Sequence, residues 1–277
     1  MPLRLQLFYP EKPAQSHVLF EGKEYLMGRS EDCDVILKGH EVSRYHARIS
    51  HSNGVWELHD HNSQNGCFAN GKRVSSVALS RHAELTIGGI KCRLEHVQHR
   101  QITAESSFRQ WRKQYLNLAA EQMFQETALN SLLKSATETL VTILSSDRAA
   151  VIFLDDDGDI SECSGFPSWM CGESFTGSRT AIAQAIATGE PVILSSITDN
   201  PLLAEAASIV RNSIQALLCF PIVYKREVVA VLYADSAVAQ RAFLDTDLVI
   251  VRAFARQLSM ALQIQDIEQR LQQLQVV

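Results

Sequence analysis

Residues 85–94 read LTIGGIKCRL. Leu85 and Ile87 share one face, Gly88-Gly89 reverses the chain, and Ile90, Cys92 and Leu94 alternate back. Period-two alternation on both sides of a two-residue glycine turn is a β-hairpin. The same period opens the chain, where Leu3, Leu5 and Leu7 flank Arg4 and Gln6. Further short strands are predicted at 18–20, 25–27, 35–37, 47–50 and 55–59. Asn53-Gly54 and Asn70-Gly71 add two tight turns, because both residue types tolerate positive φ. Many short strands joined in this way predict an all-β sandwich at the N-terminus.

Four short polar segments lie at the turns of this pattern: GRSEDCDV (28–35), SRYHA (43–47), NSQNG (62–66) and ANGK (69–72). Together they place Arg29, Ser43, Arg44 and Asn65 on neighbouring turns. A phosphothreonine carries nearly two negative charges and three acceptor oxygens. Guanidinium meets such oxygens through two parallel N–H bonds, which ammonium cannot do. The set suits capture of a phosphate ester and of the backbone carrying it. His46 reads as a buried histidine tying loops together. The remaining histidines show no metal-ligand spacing with cysteines.

On these motifs, residues 1–98 resemble a forkhead-associated (FHA) domain, a β-sandwich that binds phosphothreonine peptides through loops at one end. The resemblance implies that Arg29 contacts phosphate, Ser43 hydrogen-bonds it and Arg44 offers a second basic contact. It implies that Asn65 holds the peptide backbone, and that Gly28, His46 and Gly66 shape the loops beside the Asn70-Gly71 turn. Gln64 stands where the family usually has Ser or Thr; its amide still donates a hydrogen bond, from a longer side chain. The implied partner is a phosphothreonine-containing protein, a Ser/Thr kinase or its substrate.

Residues 100–145 contain neither Gly nor Pro. Phe108, Trp111, Tyr115 and Leu118 recur at helical spacing, which predicts a helical connector over 99–120 with an aromatic stripe that packs on its own protein or on a second copy. Helices then alternate with strands. Residues 149–154 read as a strand apolar on both faces, hence central in its sheet. The acidic run Asp155-Asp156-Asp157-Gly158-Asp159 lacks the glycine that an EF-hand loop needs at its sixth position, where Ile160 stands, so it reads as a turn into a return strand at 160–164. A helix over 180–188 ends at Gly189. Residues 191–194 form a strand, 202–211 a helix, and 216–224 and 228–235 two apolar strands, followed by a long helix over 245–275. This order fits an α+β unit: one antiparallel sheet covered by helices.

The stretches TAIAQAIATGEPV (180–192), LCFPIV (218–223), EVVAVLYAD (227–235) and FLDTD (243–247) make residues 121–265 resemble a GAF domain, a small-molecule sensor and dimerisation module. The resemblance does not name a ligand, because the family binds cyclic nucleotides, tetrapyrroles, haem, amino acids or nothing. No histidine lies beyond residue 99 to ligate haem, and Cys163, Cys171 and Cys219 have no neighbouring histidine of the bilin-attachment kind. No cofactor is assigned. Met260, Ile264, Ile267, Leu271 and Leu274 step by four, three, four and three, a short heptad seam that runs into a C-terminal extension at 266–277 and predicts a homodimer through helices.

The whole is thus read as multi-domain, a β-sandwich and an α+β unit joined by a long helix. Charge and histidine change at the boundary: residues 1–99 hold 12 Lys+Arg, 11 Asp+Glu and all nine histidines, and the rest holds 14 Lys+Arg against 20 Asp+Glu. Neither half is basic enough for nucleic acid. No apolar run spans a membrane, and the charged start is not a secretory signal, so a cytoplasmic protein is expected. The six cysteines form no CxxC pair and read as reduced thiols. No catalytic constellation appears: no GxSxG elbow, no phosphate-binding P-loop, no metal cluster. The expected function is a non-catalytic signal-transduction adaptor. The alternative is the regulatory portion of a larger effector, such as a nucleotide cyclase or transcription activator.

Overall fold

The computed structural model describes residues 1–10, 12–154, 169, 175–195, 209–210, 212–224, 226–238 and 242–275. Two compact units are present, the first made of Met1–Tyr9 and Ala14–Phe108, the second of Pro10–Pro13 and Arg109–Val277.

The first unit holds eleven strands: β1 (Leu3–Phe8), β2 (Gln15–Leu19), β3 (Tyr25–Gly28), β4 (Val35–Ile36), β5 (Ala47–Ser52), β6 (Val55–Asp60), β7 (Cys67–Ala69), β8 (Lys72–Val74), β9 (Ser76–Ala78), β10 (His82–Ile87) and β11 (Ile90–His96). They form two sheets, ordered β2-β1-β11-β10-β7-β8 and β4-β3-β5-β6-β9. The core between the sheets comes from the alternation read in the sequence: Leu3, Leu5, Leu7, Leu85, Ile87, Cys92 and Leu94 from one sheet meet Met27, Ile49, Trp56 and Leu58 from the other. The predicted hairpin pairs Leu85 with Cys92 and Ile87 with Ile90. Its turn residues Gly88 and Gly89 both have positive φ, as do Asn53-Gly54 and Asn70-Gly71. These are conformations that glycine and asparagine adopt at little cost.

Helix α1 (His99–Gln125) follows, then α2 (Leu129–Leu144), β12 (Arg148–Phe153), α3 (Arg179–Thr188), β13 (Val192–Leu194), β14 (Ala216–Tyr224), β15 (Glu227–Ser236) and α4 (Asp245–Gln275). Strands β12-β15-β14-β13 make one antiparallel sheet. Its pleat sends alternate residues to two cores. Ala149, Val151, Leu218 and Leu232 face α2 and α4. Ala150, Ile152, Cys219 and Tyr233 face α3. Helix α3 starts at Ser178, whose hydroxyl accepts from the Ala181 N–H, and stops at Gly189 in the left-handed region.

One expectation changes, that for α1. Among the described residues β12 pairs with β15 on one edge. It is apolar on both faces because helices cover both, while the expected return strand at 160–164 and the Asp155–Asp159 run lie outside the described residues, as does nearly all of the helix expected at 202–211. In α1 the face that packs into the second unit is Arg112, Leu116, Ala119, Ala120 and Met123, one position on from the predicted stripe. Trp111 is 41% exposed and Leu118 59% exposed; Trp111 stacks on Tyr115, with ring centroids 5.1 Å apart.

Candidate functional site

The motif residues meet where the loops leaving β3, β4 and β6 come together. The β3–β4 loop is laid on the β4–β5 loop by two backbone bonds, Arg29 N–H to Ser43 C=O (3.1 Å) and Ser30 N–H to Arg44 C=O (3.2 Å). Gly28 makes this approach feasible, since a Cβ there would lie 2.1 Å from the Arg44 carbonyl oxygen. The β6–β7 loop closes from the other side: the Gln64 N–H donates to Ser43 Oγ (3.1 Å), and Asn65 Nδ2 donates to the Glu41 carbonyl (2.8 Å). Ser43 therefore stands between the Arg29 loop and the Gln64-Asn65 loop. Arg29, Arg44, Gln64 and Asn65 are exposed, and Ser43 is half-buried. Among the described residues neither the Arg29 nor the Arg44 guanidinium has an ion-pair or hydrogen-bond partner. Two unpaired guanidiniums beside a hydroxyl and an amide can receive a doubly charged anion.

His46 is fully buried under this cluster. Its Nδ1 accepts from the Ser43 N–H (3.0 Å), and its Nε2 lies 3.1 Å from the Gly66 carbonyl. The first bond leaves the proton on Nε2, which donates to Gly66. The imidazole thus ties the β4–β5 loop to the β6–β7 loop. Gly66 has φ +79°, and a Cβ there would strike the Arg73 guanidinium. Asn70 and Gly71 form the turn of the β7–β8 hairpin.

Sequence reasoning missed the layer beneath. Asp60 accepts from the Ser63 N–H (3.1 Å) and the Ser63 hydroxyl, the Ser63 hydroxyl accepts from the Gly66 N–H (3.0 Å), and Arg73 donates to the Ser63 carbonyl (3.3 Å). The only sequence signal for it is the short polar run from Asp60 to Ser63 ahead of the Asn65-Gly66 turn. His46, Asp60 and Cys67 bring ligand-type atoms within 4.8 Å of one another. Both His46 nitrogens and both Asp60 oxygens are already engaged. Burial, with the Asp60 charge second, pushes the Cys67 thiol up to about 12, so it stays protonated and donates to Asp60. The trio is a hydrogen-bond network that stiffens the loop.

In the second unit the polar groups on the α3 face are also partnered. Arg148 binds Asp235 through two nitrogens (2.9 and 2.5 Å) and stacks over Trp169. The Tyr233 hydroxyl donates to Asp235 (2.7 Å) and accepts from the Ser178 N–H (3.1 Å). Burial, then the Asp235 charge, push the Tyr233 phenol far up, so it remains a donor. Cys219 is buried under this face, and Cys163 and Cys171 lie outside the described residues. Among the described residues no helix is long and apolar enough to cross a membrane.

The FHA domain model matches residues 25–88 and the GAF domain model residues 128–262. The chain is similar to the ABC transporter ATP-binding/permease protein Rv1747 of Mycobacterium tuberculosis, 38% identical over 64 residues, a stretch that is 23% of this chain and 7% of that protein. Among solved structures it is similar to Mycobacterium tuberculosis Rv1747 FHA-1, at 26% identity over 34% of this chain and 97% of that one, TM-score 0.30. It is also similar to the FhaA FHA domain complexed with the intracellular domain of Rv3910, at 28% identity over 34% of this chain and 99% of that one, TM-score 0.31. With the family models falling on the β-sandwich and on the helix-covered sheet, the chain carries an FHA domain at residues 25–88 followed by a GAF domain at residues 128–262.

Proposed function

We propose that this chain is a non-catalytic signal-transduction adaptor: its FHA domain binds a phosphothreonine on a partner protein, a Ser/Thr kinase or a kinase substrate, in the cytoplasm. The observation carrying the reading is the pair of unpaired guanidiniums, Arg29 and Arg44, on two loops fastened to each other around Ser43. Two guanidiniums on joined loops, neither in an ion pair among the described residues, favour an incoming dianion, and Asn65 on the adjoining loop is assigned to the peptide backbone. The GAF domain dimerises or holds a small ligand. Exposure of Met260, Ile264 and Ile267 along α4 supports the dimer.

The test is a phosphopeptide-library screen on the full chain, followed by calorimetry of the best peptide. Phosphothreonine peptides bind, and their unphosphorylated twins do not. Loss of one charge-assisted bond costs roughly 1.5–3 kcal/mol, about 10- to 150-fold in affinity, so Arg29→Ala, which removes a bidentate contact, abolishes measurable binding. Equal affinity of the wild type and Arg29→Ala for the same phosphopeptide overturns the reading.

A further inference from the structure

Asp32 lies in the β3–β4 loop, three residues beyond Arg29. Its Oδ2 accepts from Ser30 Oγ (3.1 Å) and from Tyr45 Oη (3.2 Å). Ser30 directly follows Arg29 and Tyr45 directly follows Arg44, and the two backbone bonds that join these loops fix both neighbours. Asp32 is therefore fastened at the rim of the phosphate-binding cluster. It pairs with neither arginine, and among the described residues its carboxylate has no cationic partner. Asp34, two residues on, differs: Lys23 (2.7 Å) and the Leu26 N–H (2.9 Å) hold it, and the Lys23 bond first among the causes lowers its pKa. Asp34 serves the fold, while Asp32 and the 41%-exposed ring of Tyr45 face solvent.

A fixed, uncompensated carboxylate beside an anion site weakens binding of any phosphate, because like charges at this range repel. The penalty disappears when the ligand brings its own cation to that spot. A carboxylate hydrogen-bonded to an exposed phenol suits a lysine or arginine side chain: the cation lies on the ring face and bonds the carboxylate. The tie from Tyr45 to Asp32 keeps ring and carboxylate in register before the ligand arrives.

We infer that Asp32 and Tyr45 form a subsite for a basic side chain of the bound peptide, so that the partner is a phosphothreonine segment with lysine or arginine close by. The subsite lies on the Arg29 flank of Ser43, opposite the Gln64-Asn65 flank. Asp32 shares a loop with Arg29, three residues on, so the basic residue is sought on both sides of the phosphothreonine. The inference rests on the phosphothreonine reading above.

The experiment is fluorescence polarisation of the full chain with phosphothreonine peptides in which one Lys is moved through positions −4 to +4, each compared with Ala and Glu at the same position. One position shows Lys or Arg binding at least about fivefold tighter than Ala, and Glu weaker than Ala. In Asp32→Asn that advantage shrinks to within about twofold, and Asp32→Lys reverses it in favour of Glu, which only a folded domain can display. Tyr45→Ala reduces it in part. Phosphopeptides that bind without preferring a basic residue at any position, or a preference that survives unchanged in Asp32→Asn and Asp32→Lys, overturn the subsite and leave the phosphothreonine reading intact. Failure of every phosphopeptide to bind overturns both.

Discussion

Arg112 of α1 and Asp247 of α4 form an ion pair at 2.5 Å, with side chains only 6% and 3% exposed. The Arg112 nitrogen that meets Asp247 also donates to the Ile143 carbonyl at the end of α2 (2.9 Å), and the other Asp247 oxygen accepts from the Leu244 N–H at the start of α4 (2.9 Å). One arginine thus fastens three helices of the second unit. Removing one partner of a buried pair leaves an uncompensated charge and costs about 3–5 kcal/mol. Arg112→Ala and Asp247→Asn are each expected to lower the melting temperature of this unit by roughly 10 °C or more, since 1 kcal/mol shifts a domain of this size by about 2–4 °C. The double variant Arg112→Met/Asp247→Leu recovers much of that loss, because the desolvation cost goes with the charges. Differential scanning calorimetry of the four proteins checks this; a double variant no better than the singles refutes it.

Gly28 is the point where the Arg29 loop crosses the Arg44 carbonyl. The clash a methyl group meets there is with backbone, at 2.1 Å, so no rotamer change relieves it. Gly28→Ala must push the two loops apart, stretching the Arg29-to-Ser43 and Ser30-to-Arg44 bonds. Overpacking of this kind costs about 1–3 kcal/mol. Phosphopeptide affinity is expected to fall by about tenfold or more although every charged contact residue is intact. Gly54→Ala, at a turn with nothing within 4 Å, leaves affinity unchanged. Calorimetry on the two variants compares them directly.

What could be read in advance follows from the kind of force involved. The sandwich was legible because Leu3, Leu5 and Leu7 and the LTIGGIKCRL hairpin impose a period of two that only a pleated strand satisfies. That Arg29, Ser43 and Asn65 stand on adjoining loops was legible because short polar motifs mark the turns that carry them. Much of the support beneath them uses main-chain carbonyls of Glu41, Ser63 and Gly66 as acceptors. Any residue type supplies a carbonyl, so no pattern marks those positions. The packed face of α1 was misjudged for a related reason. Periodicity shows that faces exist without saying which meets the core, and Arg112, the residue that fastens the helix, is one that hydrophobic periodicity discards.

His46 holds two backbone groups at once, the half-buried Ser43 N–H and the buried Gly66 carbonyl. His46→Ala leaves both without a partner. An unsatisfied buried group costs about 1–3 kcal/mol and the half-buried N–H adds less, so the FHA domain is expected to lose about 2–4 kcal/mol. Urea unfolding measures the loss. Nitrogen-detected NMR of the imidazole is expected to show the proton on Nε2, because Nδ1 is an acceptor. A proton on Nδ1 refutes the arrangement.

Cys67 gives the FHA domain an alkaline limit. Burial, and after it the charge of Asp60, raise its pKa from 9.0 to about 12 in the folded chain. A group whose pKa is raised by folding contributes fully below its unfolded value and loses that contribution as pH rises through its folded value. Stability is therefore expected to be level with respect to this thiol up to about pH 9, and then to fall toward pH 12 by at most about 1.4 kcal/mol per pH unit. Cys92 and Tyr9, also raised chiefly by burial, act in the same direction. Cys67→Ala removes one share of the slope. The check is the urea midpoint at pH 8 and pH 10.5, read by alkylation of the buried Cys92, with each protein compared with its own pH 8 value. The wild type should lose more than Cys67→Ala; equal losses mean that Cys67 is as free to ionise in the folded domain as in the unfolded chain, and the Asp60–Cys67 contact beneath the β6–β7 loop is then not a fixed part of the fold.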